Sequence, residues 1–578
     1  FPTRRSSDLA QVGLYGNQYL LNGGTMSTGA NGYFYELIAN TSGGGLFADA
    51  RLVINSSTQL AHTLRLNGSN TVVGMAYSDT QVLTGNNLVI DGSGVGLGRV
   101  TQGLTQLRTA ETTMSGLNTV MDTTLGSIAG TSSRSVFAST LPTNSSLVLT
   151  TTAAAFDVNT ILNYGQTTAS NAGLITLNGL AGNGTTFTLT GSTFTSAKGQ
   201  TYNGLLVLGA HTTLSGTQVT TASTVTGSAN HYDLTVNGAL NTGGAMTSLG
   251  TLAVTGNATL GGSLVSSAGT QTYGGDVVVQ GAGNIFVLDT TLSGASPSGA
   301  NISLAQSLNG TTDNSQSVTL TPGTGGVVSV TGAVGNLHPL STLTLTHSNG
   351  ATFNGAVTTG TSVVLSNTMT GKTITFANNL NTAVLSTGAY NYNLTVTGAN
   401  SNVSSATTFN HTGALKLGGS ATDSVTFAGG LVVTTPSSLS VAGALNTSNT
   451  PMTLGDNNTA LTLAGHAVLN TAGATLNING AVNGTAANMQ SLTLNAGSTG
   501  TVSVTAAIGS TTPLKTLTLT NSSGATFTAP VTTGTSVVLD GTQTGQDITF
   551  TKNVTTSILS VGAQGFNLVM TGASNTVS

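Results

Sequence analysis

Residues 341–365 read STLTLTHSNGATFNGAVTTGTSVVL, and residues 515–539 read KTLTLTNSSGATFTAPVTTGTSVVL. The two stretches lie 174 residues apart and agree at 19 of 25 positions. The match continues outward more loosely and pairs 300–404 with 474–578. A long period filled with short strand patterns is the signature of an array architecture. Runs such as Leu343-Thr-Leu-Thr alternate apolar and polar residues, as a strand with one buried face does. Gly, Asn and Ser clusters separate the runs and supply turns. The expectation is an all-β chain wound as a parallel β-helix, a structural or adhesive protein and not a compact enzyme.

Two apolar series sharpen that expectation. Leu494, Leu519, Leu539 and Leu559 recur at steps of 25, 20 and 20, and Val504, Phe527, Phe550 and Met570 at steps of 23, 23 and 20. Interleaved series of this kind fit a coil of roughly 22 residues with two or more strands per turn, each series forming one ladder inside the solenoid. Leu343, Leu345, Phe353, Val357 and Leu365 are unchanged in the second copy, and the six differences fall at polar, small or turn positions. Interior packing tolerates less change than an outer face, so the unchanged residues are the candidate core.

Composition excludes several functions. Charged residues are 5% of the chain, against roughly 25% in ordinary globular proteins, and 78 of 578 residues are Gly. A net charge of −4 offers no basic surface for nucleic acid. The absence of Cys excludes disulfides, zinc–thiolate sites and thiol catalysis.

Four regions are expected. Residues 1–9 (FPTRRSSDL) resemble the translation of a sequencing adapter and are set aside from the fold. Residues 10–98 read as a β-rich first part of the solenoid. Over 99–129 the apolar residues Val100, Leu104, Leu107, Met114, Met121, Leu125 and Ile128 recur at steps of three, four or seven, which predicts an amphipathic helix that caps or decorates the solenoid. Residues 130–578 form the repetitive part. The chain reads as an internal piece of a longer protein.

No constellation carries chemistry, and no catalytic, cofactor-binding or metal residue is expected. Asp91-Gly-Ser-Gly-Val-Gly-Leu-Gly98 lacks the third glycine of a dinucleotide fingerprint, because Leu97 stands there. The carboxylate pairs Asp276/Asp289 and Asp540/Asp547 have no reason to share a cleft and read as exposed turn residues. His62, His211, His231, His338, His347, His411 and His466 show no ligand spacing, and Thr512 and Asn521 replace His338 and His347 in the second copy. Tyr33, Phe34, Tyr35, Tyr390 and Tyr392 could stack on sugars but read as core rings, Phe566 matching Tyr392.

Smaller echoes complete the pattern. Gln200-Thr-Tyr-Asn-Gly recurs as Gln271-Thr-Tyr-Gly-Gly, and Thr-Thr-Leu-Ser-Gly occurs at 212–216 and 290–294. With the Leu-Thr-Leu-Thr units, these motifs resemble repeats of large bacterial exoproteins, the filamentous-haemagglutinin-like adhesins and β-strand-repeat autotransporter passengers. The resemblance covers about residues 136–578. It implies a right-handed β-helix, export through an outer-membrane transporter or a fused barrel, and display at the cell surface or release. Implied partners are host or neighbouring cells, glycans or abiotic surfaces, with no cofactor and no nucleic acid. Two alternatives differ in kind: a carbohydrate-active β-helix enzyme would need clustered acids, and an ice- or surface-binding solenoid would need Thr-x-Thr ranks in register on one flat face.

Overall fold

The computed structural model describes residues 199–280 and 285–578 in full and, ahead of them, strand segments from Tyr19 onward. The described residues form a parallel β-solenoid of about 17 turns, without a helix. The chain divides into two compact units, 1–275 and 276–578.

In the second unit each turn has three faces. Val318, Leu343 and Val363 stack on face one. Val328, Ala351 and Ile374 stack on face two. Val334, Val357 and Leu380 stack on face three. The strands are short and their exposure alternates, as in Ala351–Phe353, where Thr352 alone points outward. Thr and Val favour this geometry because a branched Cβ fits the pleat. The inward residues of successive turns meet directly. Phe353 stacks on Phe376 with ring centroids 5.0 Å apart, and Phe527 on Phe550 at 4.6 Å.

Both expected ladders are present. Val504, Phe527, Phe550 and Met570 pair in succession. Leu494, Leu519 and Leu539 do the same, while the last step slips so that Leu539 faces Val561 and Leu559 faces Val537.

The long repeat is out of phase with the coil. On face two, Ala351, Ile374, Leu394, Leu415, Leu439, Leu461, Val482 and Ile508 follow one another in adjacent turns. Ile508 is therefore seven turns beyond Ala351. Ala525, the counterpart of Ala351, comes two faces later still, on face one with Val502 and Ile548. Leu343 on face one corresponds to Leu517 on face three, and Val357 on face three to Val531 on face two. Every element of the second copy is thus displaced by one face.

This displacement is tolerated because the three inner faces ask for the same thing, an apolar residue at every second position. What the copies share is corner chemistry. The hydroxyls of Ser348 and Thr368 bond at 2.6 Å, and those of Ser522 and Thr542 at 2.9 Å. Thr359 donates to Thr382 at 2.8 Å, as Thr533 does to Thr556. Gly360 and Gly534 face the side chains of Asn314 and Asn488, which leave no room for a Cβ.

The first unit repeats the three-faced plan. Gln200 and Tyr202 are both buried; the Tyr hydroxyl donates to the Gln oxygen at 2.6 Å, and the Gln amide donates to the carbonyls of Phe194 and Ser215. Gln271 and Tyr273 repeat the arrangement, so the Gln-Thr-Tyr motif is an internal polar strut. At one corner of this unit, Gly238 has φ +143° and lies against the Gly216 carbonyl, which admits no side chain.

One expectation needs correction. The described parts of 99–129 are strands, Thr105–Met114 and Val120–Thr123, paired in parallel with Gln81–Ile90 and Leu147–Thr151. The helix is not seen. Thr at 105, 109, 112 and 113 disfavours it, and parallel pairing with neighbouring turns overrides a weak 3–4 spacing. The two copies of Thr-Thr-Leu-Ser-Gly differ in conformation. At 212–216 it is strand, with Leu214 buried. At 290–294 it is a turn, with φ of 53° at Leu292 and 57° at Ser293. The difference lies in the preceding residue: Asp289 accepts from the amides of Thr291 and Ser293 and closes the turn.

Phe353→Ala and Phe527→Ala are each expected to cost about 3–5 kcal/mol. Denaturant unfolding of the two variants should give closely matched losses despite their different faces. Deletion of 346–519, which joins Leu345 to Thr520, is expected to leave a folded solenoid whose downstream strands have moved round by one face. An aggregated product, or loss of the strand signal by circular dichroism, would show that the faces are not interchangeable.

Candidate functional surface

The residues singled out by type do not converge. Asp276 accepts from the amide and hydroxyl of Ser307, at 3.0 and 2.7 Å. Asp289 is not the exposed turn residue expected: it is buried and also accepts from the Thr291 hydroxyl at 2.6 Å. Asp547 accepts from Asn567, and Asp540 lies beside Gly562. Each carboxylate organises its own corner. Asp423 and Asp456 do likewise. Burial pushes the Asp423 carboxyl up, but the Ser420 hydroxyl, the amides of Gly419 and Ser420, and Lys416 together hold it below the ordinary range. The amides of Asn458 and Thr459 hold Asp456 down.

The histidines are equally dispersed. His211 pairs with Asp233 at 2.8 Å and His338 with Asp313 at 2.8 Å, both in exposed positions. His231 lies 3.1 Å from the Ser248 carbonyl, and His466 accepts from the Ser491 amide. His347 is exposed beside Thr346. His411 is fully buried. The His62 side chain and residues 91–95 lie outside the described residues, and Gly96–Leu97 is a short strand. Among the described residues no group of three His, Cys, Asp or Glu could hold a metal. No helix there is long and apolar enough to cross a membrane.

Of the aromatic candidates, Tyr392 is buried and donates to the Leu365 carbonyl; burial pushes its hydroxyl pKa up, and the Gly388 backbone works against that. Tyr390 is 46% exposed, against expectation. Phe566 is half-buried. The side chains of Tyr33, Phe34 and Tyr35 lie outside the described residues.

What remains is the outer face of the strands. On face two Ser303, Ser329, Thr352, Thr375 and Thr395 occupy successive turns in register, and Lys416 interrupts the file before Ser440 and Thr462. The second copy carries its version on face one, where Ser503, Thr526 and Thr549 stand between Asn477 and Val569. These hydroxyls reach solvent and bond no other protein group, whereas the corner hydroxyls of Ser348, Thr368, Ser522 and Thr542 are buried and paired. Adjacent members of a file are about 4.8 Å apart, the spacing of hydrogen-bonded strands. Ser303, Ser329 and Thr352 are each the one outward residue of a three-residue strand, whereas Thr373 stands outward beside Thr375 and Asp547 beside Thr549, and on face one Thr342, Thr344 and Thr346 all turn outward. The files can therefore offer neutral donors and acceptors in line.

Compared with protein-family models, curated proteins and solved structures, the chain matches none.

The two classes of hydroxyl should separate in mutation. Thr368→Val leaves the buried Ser348 hydroxyl unpaired and is expected to cost about 1–3 kcal/mol. Thr352→Val, on the open file, should stay within about 0.5 kcal/mol of the parent. Urea titration of both variants measures the contrast.

Proposed function

We propose that this chain is a stretch of the shaft of a bacterial surface or secreted adhesin, a non-catalytic right-handed β-solenoid. The observation that carries the reading is the pair of neutral hydroxyl files, unbonded within the protein and flanked by no acid cluster. Right-handed winding follows from the general preference of strand–crossover–parallel-strand connections, which every turn here repeats. The resemblance to filamentous-haemagglutinin-like repeats gives the class and, with it, export through an outer-membrane transporter or a fused barrel and an extracellular location. The partners are glycans, host or neighbouring cell surfaces, or abiotic surfaces. Neutral hydrogen bonds are individually weak, because charge assistance is what makes such bonds strong. Linked weak contacts gain through effective concentration, so avidity replaces a single tight site.

Glycan-array binding of the monomer and of bead-displayed protein tests the reading. Weak monomer binding is expected, with a gain of about 100-fold or more on beads and little change between low and high salt. Reducing-sugar release from a polysaccharide, lost on Asp276→Asn or Asp289→Asn, would overturn it in favour of a carbohydrate-active enzyme.

A further inference from the structure

One buried titratable group has no structural partner. The His411 ring is fully enclosed, and neither of its nitrogens makes a hydrogen bond of good geometry, the backbone of Ala414 being the one polar group that acts on it. It stacks on Tyr392 with centroids 5.1 Å apart and planes 17° apart, and Phe409 meets it edge-on at 5.8 Å. Phe409 in turn meets Phe427 edge-on at 5.6 Å. Elsewhere in this unit, buried corner hydroxyls are bonded, as in the pairs Ser348–Thr368, Thr359–Thr382, Ser522–Thr542 and Thr533–Thr556. At this corner the turn buries a base inside an aromatic box.

No neighbour compensates a charge there. Tyr392 commits its hydroxyl to Leu365. Tyr390 is exposed, and Lys416 points outward between the buried Leu415 and Leu417. The Asp423 carboxylate is bound by Gly419 and Ser420. The segments 384–389 and 428–437, which flank the box in the adjacent turns, carry no titratable side chain. A protonated ring would therefore be a buried, unpaired cation, which is costly.

We infer that the corner around His411 is an acid-triggered latch: protonation of the ring releases residues 405–414 locally while the remaining turns stay folded. Burial pushes the His411 pKa down to about 4, with the Ala414 backbone acting the other way. The ordinary value is 6.5. The opened corner thus binds a proton more readily than the closed one. The contribution of the neutral ring is intact above pH 6.5, is lost progressively as pH falls, and is gone below about 4. Opening of the corner should rise by roughly one to two orders of magnitude between pH 7.5 and 4.5. This device is independent of what the outer files bind.

The test is hydrogen exchange of the full chain at pH 7.5 and 4.5, corrected for intrinsic rates, with His411→Phe as the comparison. Protection of amides 405–414 should fall 10–100-fold in the parent and stay unchanged in the variant, while amides 340–380 and 460–550 hold in both. An equal fall in both proteins overturns the inference. If His411→Phe does not fold, His411→Leu replaces it, and the imidazole C2–H resonance decides in the parent itself. Titration of His411 near pH 6.5 in the folded state would overturn the latch, and titration near 4 would support it.

Discussion

Every feature of this protein follows from one demand, that each turn lie in register on the next. Parallel stacking satisfies the outward backbone groups of one turn with those of its neighbour, so no strand can shift by one residue without turning its apolar side chains to solvent. The interior is then a set of ladders, each occupied once per turn. Corners are where the demand is hardest to meet, because the chain must change direction without losing the stack. Paired hydroxyls such as Ser348–Thr368, and a Gly where the next turn comes too close for a side chain, are the local answers. The carboxylates buried among the described residues, Asp289 and Asp423, sit at corners and cap amides, while Lys416 and Asp547 stand on outward strand positions.

The ladders were legible in the sequence because strict alternation and a once-per-turn recurrence both leave marks in one dimension. Val504, Phe527, Phe550 and Met570 could be aligned by spacing alone, and they stack as aligned. The number of faces was less legible. Val357–Thr368 runs unbroken from face three to face one, so a single strand pattern hides a corner. Local letters also mislead. The 3–4 spacing over 99–129 suggested a helix where strands pair, and Thr-Thr-Leu-Ser-Gly is strand in one place and turn in another. In each case a longer-range bond, a parallel ladder or an aspartate cap, decided among conformations the segment itself allows.

The candidate surface was legible only as composition. Abundant Ser and Thr announced a hydroxyl-rich exterior, but nothing in the sequence separates Thr352, which faces solvent, from Thr368, which is buried and paired. That distinction depends on which neighbour sits one turn away. His411 is the sharpest case. In Thr407-Thr-Phe-Asn-His-Thr it resembles the other scattered histidines, and only the ring of Tyr392, brought against it by winding, makes it a buried base.

The phase of the long repeat bears on what the outer surface can recognise. Had 174 residues equalled a whole number of turns, the second copy would have extended the first file of hydroxyls along face two. Instead Thr352 looks out from face two and its counterpart Thr526 from face one, separated by seven turns and two faces. Duplication has therefore multiplied the sides that carry the pattern without broadening any of them. The same interchangeability of inner faces that lets the repeat rotate thus sets the outer hydroxyls of the two copies on different sides.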